Sequence, residues 1–211
     1  LIIQEALTTA GRISWEVHHC HRLATLAPYL DEKLKKGGLQ KALADARETS
    51  TAFYRSENLA VLAPHLDEKL RQHVLQEALA AVPDIQHKDK QVSAVAALAP
   101  QLSTNARKKV LLQGLWAAYR GFERKRADAL AVLAPHLDSK LKWLAIYVAL
   151  TIKDVDDRAR AMVSLASFLD GKIRLQALSA VRAMKYDHAR ARQLTILALH
   201  LNEQQKGQVL H

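Results

Sequence analysis

Apolar residues recur along most of this chain at steps of three and four, and no stretch alternates with period two over a useful length. The pattern predicts helices and no strands. In the clearest copy, Leu59, Leu62, Ala63 and Leu66 form one stripe, and Leu70, Val74, Leu75, Ala78, Leu79 and Val82 form the next. Between them stands Pro64, which has no amide to donate, so the first helix should bend or end there. Asp67 follows, and its short carboxylate suits the open amides at the start of a second helix. The unit is a pair of helices joined by a tight turn.

That unit repeats. Leu26-Ala27-Pro28, Leu62-Ala63-Pro64, Leu98-Ala99-Pro100 and Leu133-Ala134-Pro135 follow one another at 36, 36 and 35 residues. Leu165-Ala166-Ser167 and Leu197-Ala198-Leu199 continue the series at steps of 32, a shortening of about one helical turn. A leucine recurs after each motif (Leu30, Leu66, Leu102, Leu137, Leu169, Leu201), and a helix-capping residue follows it: Asp31, Asp67, Ser103, Asp138, Asp170 and Asn202. One such hairpin cannot cover its own apolar faces, whereas stacked copies bury a continuous core. The expected fold is therefore all-α, an α-solenoid of about six stacked antiparallel helical hairpins, with residues 1–211 as a single repeat domain. Gln4-Glu5-Ala6-Leu7 is in phase with Gln40-Lys41-Ala42-Leu43 and Gln76-Glu77-Ala78-Leu79, which puts Leu1 inside a second helix. The chain reads as a piece of a longer array.

The phrase Leu-Ala-Pro-His-Leu-Asp-Glu-Lys-Leu at 62–70, its near twin at 133–141, and an arginine seven residues before the motif (Arg55, Arg126, Arg158, Arg190) resemble the helical-hairpin arrays of bacterial STAND and NACHT-type signalling proteins, which are TPR- or HEAT-like. The resemblance implies a sensor or protein-interaction scaffold without enzyme activity. Two copies depart from it, with His19 and Gln91 in place of the arginine. Seven residues is two helical turns, so each arginine lies on the leucine stripe. From there it can lay its stem along the seam and send its guanidinium to a carboxylate or to carbonyls of a neighbouring repeat.

Charge changes the picture. Residues 1–105 hold 12 Lys plus Arg against 12 Asp plus Glu, whereas residues 106–211 hold 19 against 9, so the whole formal charge of +10 falls in the second half. Arg107-Lys108-Lys109 opens it, and Arg124, Lys125, Arg126, Arg158, Arg160, Arg190 and Arg192 are the candidate partner-binding residues. A field of that sign favours an acidic protein or peptide, with nucleic acid as the alternative. Aromatic residues for base stacking are few and no nucleic-acid motif stands out.

No Gly-rich phosphate loop, zincin pair or nucleophile elbow is present, so no cofactor and no catalytic residue is expected. His18-His19-Cys20-His21 is the one segment that invites a metal, yet it lacks a second ligand cluster and reads as a polar connector; the single Cys20 has basic neighbours that would lower its pKa. Tyr29, His65, Gln101, His136, Phe168 and His200 share the register after the proline and are expected to fill the gap beneath each turn. Trp15, Trp116 and Trp143 share no register; Trp116 is expected in the second-helix core and Trp15 in a connector. With 49% hydrophobic residues but no long apolar run, a core is expected and a membrane span is not, and the lone cysteine makes the cytoplasm the default location.

Overall fold

Every Leu-Ala-Pro copy ends an α-helix of eleven residues, and the next helix starts within a few residues of it. A computed structural model describes residues 16–166 and 171–200. Among these the helices are α1 (Glu16–Leu26), α2 (Glu32–Glu48), α3 (Ala52–Leu62), α4 (Glu68–Ala81), α5 (Lys88–Leu98), α6 (Thr104–Arg120), α7 (Glu123–Leu133), α8 (Ser139–Leu150), α9 (Val155–Leu165), α10 (Gly171–Arg182) and α11 (Asp187–Ala198), and there is no strand. The sequence features at Gln4–Leu7, Trp15, Phe168, Leu169, Asp170, Leu201 and Asn202 lie outside the described residues, as do the side chains of His18 and His19.

The turn chemistry works as its residues dictate. After Leu62 the backbone of Ala63 keeps helical angles (φ −52, ψ −42) despite the proline that follows, and the chain tightens into a 3-10 turn over Ala63–His65. The same turn follows α1, α5 and α7, each closed by an amide three residues on, as from Leu66 to the Ala63 carbonyl (3.2 Å). The next helix then starts on its cap: Asp67 Oδ1 accepts from the Leu70 amide (3.0 Å), Asp31 from Leu34 (2.8 Å), and Asp138 from Leu141 (2.9 Å). Pro83 makes a fifth 3-10 turn at Val82–Asp84, and Ile85 behind it is buried, so this connector is less polar in use than in composition.

The motif leucines Leu62, Leu98, Leu133 and Leu165 and the alanines after them are almost completely excluded from solvent. Truncating one such leucine costs about 2–5 kcal/mol through lost burial and the cavity left behind. The shortening of the later repeats falls on the second helix, which has 17 residues in α6 but 12 in α8 and 12 in α10.

The chain divides into two compact units, 1–107 and 108–211. In the first, α1 packs on α2 and α3 on α4, while the first helices α1, α3 and α5 pack on one another in turn. The Arg47 guanidinium donates Nε and Nη2 to the two oxygens of Glu77, each at 2.8 Å, tying α2 to α4. In the second unit, α7 packs on α8 and α9 on α10, with α7, α9 and α11 in sequence. Arg160 joins α9 to α7 through Asp128 (3.2 Å), and Asp156 Oδ1 accepts the Lys185 amide ahead of α11 (3.0 Å). The all-helical architecture of the described residues is what the periodicity called for.

Candidate interaction surface

The recurring arginines turn inward. Six residues before each lies the end of the previous hairpin: Arg55 Nη1 donates to the Thr49 carbonyl (2.9 Å), Arg158 to Ile152 (2.8 Å) and Arg190 to Met184 (3.0 Å). Each guanidinium thus serves carbonyls left open where a helix ends. Gln91, in one of the two copies without the arginine, also reaches the preceding turn, donating Nε2 to the Val82 carbonyl nine residues back (3.1 Å). Of the proposed partner-binding residues, Arg158 and Arg190 are therefore occupied within the chain. Arg160 donates to Asp157 (2.6 Å) and to Asp128; the Asp157 contact foremost, then Asp128, hold it more firmly charged, against some loss from burial. Arg126 is half-buried, with its guanidinium 5.4 Å from the Tyr119 ring centre and Nη1 3.4 Å from Thr151 Oγ1. Arg124, Lys125 and Arg192 are exposed, and Arg124 lies over the exposed Phe122 ring.

The aromatic side chains turn outward. Trp116, expected in the core, is 53% exposed. Position 116 on α6 lies just off the buried stripe of Leu111, Leu115 and Ala118, so the indole stands beside the core and not in it. Leu112, Trp116 and Tyr119 fall at steps of four and three on one face of α6, and Trp143, Tyr147 and Leu150 do the same on α8; all six are exposed. Between the helices Leu115, Trp116, Tyr119, Leu144, Tyr147 and Val148 line an apolar groove of about 140 Å³. Trp116 and Tyr119 meet edge to face at 6.0 Å, and Arg120 covers the indole at 5.8 Å.

Neither helix carries a carboxylate: α6 holds Arg107, Lys108, Lys109 and Arg120, and α8 holds Lys140 and Lys142. Glu123, just past α6, spends its Oε1 on the amides of Lys153 and Asp154. Lys108 reaches Asp138 at 3.6 Å, and neither Arg120 nor Arg124 is ion-paired among the described residues. The sequence pointed to this groove only through Trp116 and Trp143 breaking register. In the preceding hairpins the place of Trp116 is held by Ala44 and Ala80, and that of Tyr147 by Gln40, Gln76 and Leu112.

The other sequence candidates resolve differently. His18–His21 lies in α1 and is no connector, and Cys20 is buried with Sγ 3.6 Å from the Ala42 carbonyl. Burial, reinforced by Asp45, pushes its thiol up to about 11, opposite to the effect expected from basic neighbours. Among the described residues no three His, Cys, Asp or Glu side chains group as a metal site would require. In the register after the proline, Gln101 reaches back to the Ala60 carbonyl (3.0 Å), which fills the gap as expected, but Tyr29 is largely exposed. No described helix is long and apolar enough to cross a membrane. Compared with family models, curated proteins and solved structures, the chain matches none of them.

Proposed function

We propose that this chain is part of an α-solenoid that acts as a non-catalytic protein-interaction scaffold, as in a larger signalling or assembly protein, and that its basic half meets an acidic protein or peptide. The observation that carries the reading is the pairing of exposed Trp and Tyr side chains on α6 and α8, two helices whose charged residues are all cations. Aromatic and arginine side chains supply most binding energy at protein interfaces, and unbalanced positive charge steers acidic partners toward them. Nucleic acid is the second reading, favoured by the same charge. Against it, Arg120 and Arg126 already lie over the Trp116 and Tyr119 rings where a base would stack.

The test is an array of random-sequence acidic peptides and a set of generic single- and double-stranded oligonucleotides, both probed with the full chain at about 50 and 200 mM salt. Retention of a subset of the peptides at the higher salt supports the proposal. Retention of the oligonucleotides alone, with a steep loss between the two salts, replaces it with nucleic-acid binding.

A further inference from the structure

We infer that the groove between α6 and α8 receives the apolar face of an acidic amphipathic helix, with Trp116 and Tyr147 as the residues that select it. This rests on the acidic-partner reading and narrows it to one site and one kind of ligand.

Three observations meet at the groove. Its lining is aliphatic and aromatic, and Leu115 and Val148 form its buried floor, so it accepts apolar side chains. The exposed apolar face of α6 runs from Leu112, just beyond the groove lining, through Trp116 to Tyr119, about 11 Å at 1.5 Å per residue, which is two turns of a helix. A partner helix with apolar residues at i, i+4 and i+7 presents anchors over that same length, and a groove between two helices is where a third packs. Finally, the two helices carry six cations and no carboxylate; Arg107 is spent on the carbonyls of Ala99, Pro100 and Leu102 and Lys108 on Asp138, but Arg120 and Arg126 stand over the groove's own rings. A ligand whose remaining positions are Asp and Glu fits that rim. A second copy of this chain brings the same positive charge to the contact and does not.

No aromatic residue stands at the matching places of the preceding hairpins. Ala44 and Ala80 stand where α6 has Trp116, and Gln40, Gln76 and Leu112 where α8 has Tyr147. Scaffold positions repeat and these do not, so the aromatic pair is an addition to the scaffold.

The probe is a fluorescein-labelled helical peptide of about 16 residues with Leu at i, i+4 and i+7 and Glu at most other positions, alongside a scramble of the same composition. Anisotropy is read with the full chain at about 150 mM salt. The designed helix should bind at least tenfold more tightly than the scramble. Trp116→Ala and Tyr147→Ala, both surface changes checked for unaltered helicity, should each lose about tenfold, and Arg120→Glu should lose more than Arg192→Glu. Equal binding of helix and scramble, or full binding by both aromatic variants, overturns the groove site. The acidic-partner reading survives that result if the peptide array is retained, and both fall if nothing acidic is retained. Displacement of the helix by an oligonucleotide, or self-association abolished by Trp116→Ala, also overturns the inference.

Discussion

Gly37 and Gly38 are neighbours inside α2, and their surroundings decide opposite outcomes for the same substitution. A methyl group at Gly37 meets nothing within 4 Å, whereas one at Gly38 comes to 3.1 Å from Leu23 Cδ1 on α1. Glycine inside a helix costs about 0.5–1 kcal/mol relative to alanine. Gly37→Ala should therefore stabilise the chain by about that amount in urea denaturation. Gly38→Ala should gain less or lose, because Leu23 is buried and has to shift. Equal gains at both positions would show that α1 does not press on α2 at this point. Neither outcome is legible from the pair of glycines in sequence, since the distance to Leu23 is set by how the hairpin closes.

The helix ends bear most of the recurring polar chemistry. Removing the Arg158 guanidinium leaves the Ile152 carbonyl without its donor, and a hydrogen bond from a charged group contributes about 1.5–3 kcal/mol. Arg158→Ala should lower stability by about 2 kcal/mol, and Arg158→Lys should recover only part of it, because the shorter side chain with its more strongly hydrated ammonium does not place a donor where Nη1 meets the Ile152 and Lys153 carbonyls. A urea midpoint unmoved by Arg158→Ala sinks the capping role. Asp138 gives the pH-dependent counterpart. The Leu141 amide first, with Lys108 and the Lys140 amide adding, holds its carboxyl below the usual range. Its contribution is then complete above the ordinary carboxylate pKa of about 3.9 and is lost as pH falls through the lower folded value. Asp138→Asn should flatten the decline of stability below about pH 4, seen as a shallower fall in melting temperature. The caps and the leucine seam were legible because a periodic pattern and a short carboxylate each act locally. The arginine was legible as a seam residue, but its carbonyl partner depends on where the preceding helix stops, which no residue type announces.

At the scale of the molecule, the sequence disclosed the hairpins and the charge imbalance but misplaced Trp116. Hydrophobicity says that an indole prefers burial; it does not say which side of α6 the neighbouring hairpin covers. Cys20 offers a global readout because it is buried within residues 1–107. If the hairpins are coupled chiefly to their neighbours, unfolding proceeds in parts. The thiol should then stay inert to an aromatic disulfide reagent in the native protein at pH 8, and become reactive over a urea range displaced from the helical circular-dichroism midpoint. Coincident transitions would contradict nearest-neighbour coupling.

Most ties between hairpins reach a similar distance along the chain: 30 residues from Arg47 to Glu77, 30 from Glu123 to Lys153, 32 from Asp128 to Arg160 and 29 from Asp156 to Lys185. A ribosome adding about 5–20 residues per second delivers the second member of each pair within a few seconds of the first. Each hairpin can thus be fastened as soon as its successor leaves the exit tunnel, with no segment obliged to wait for a distant one.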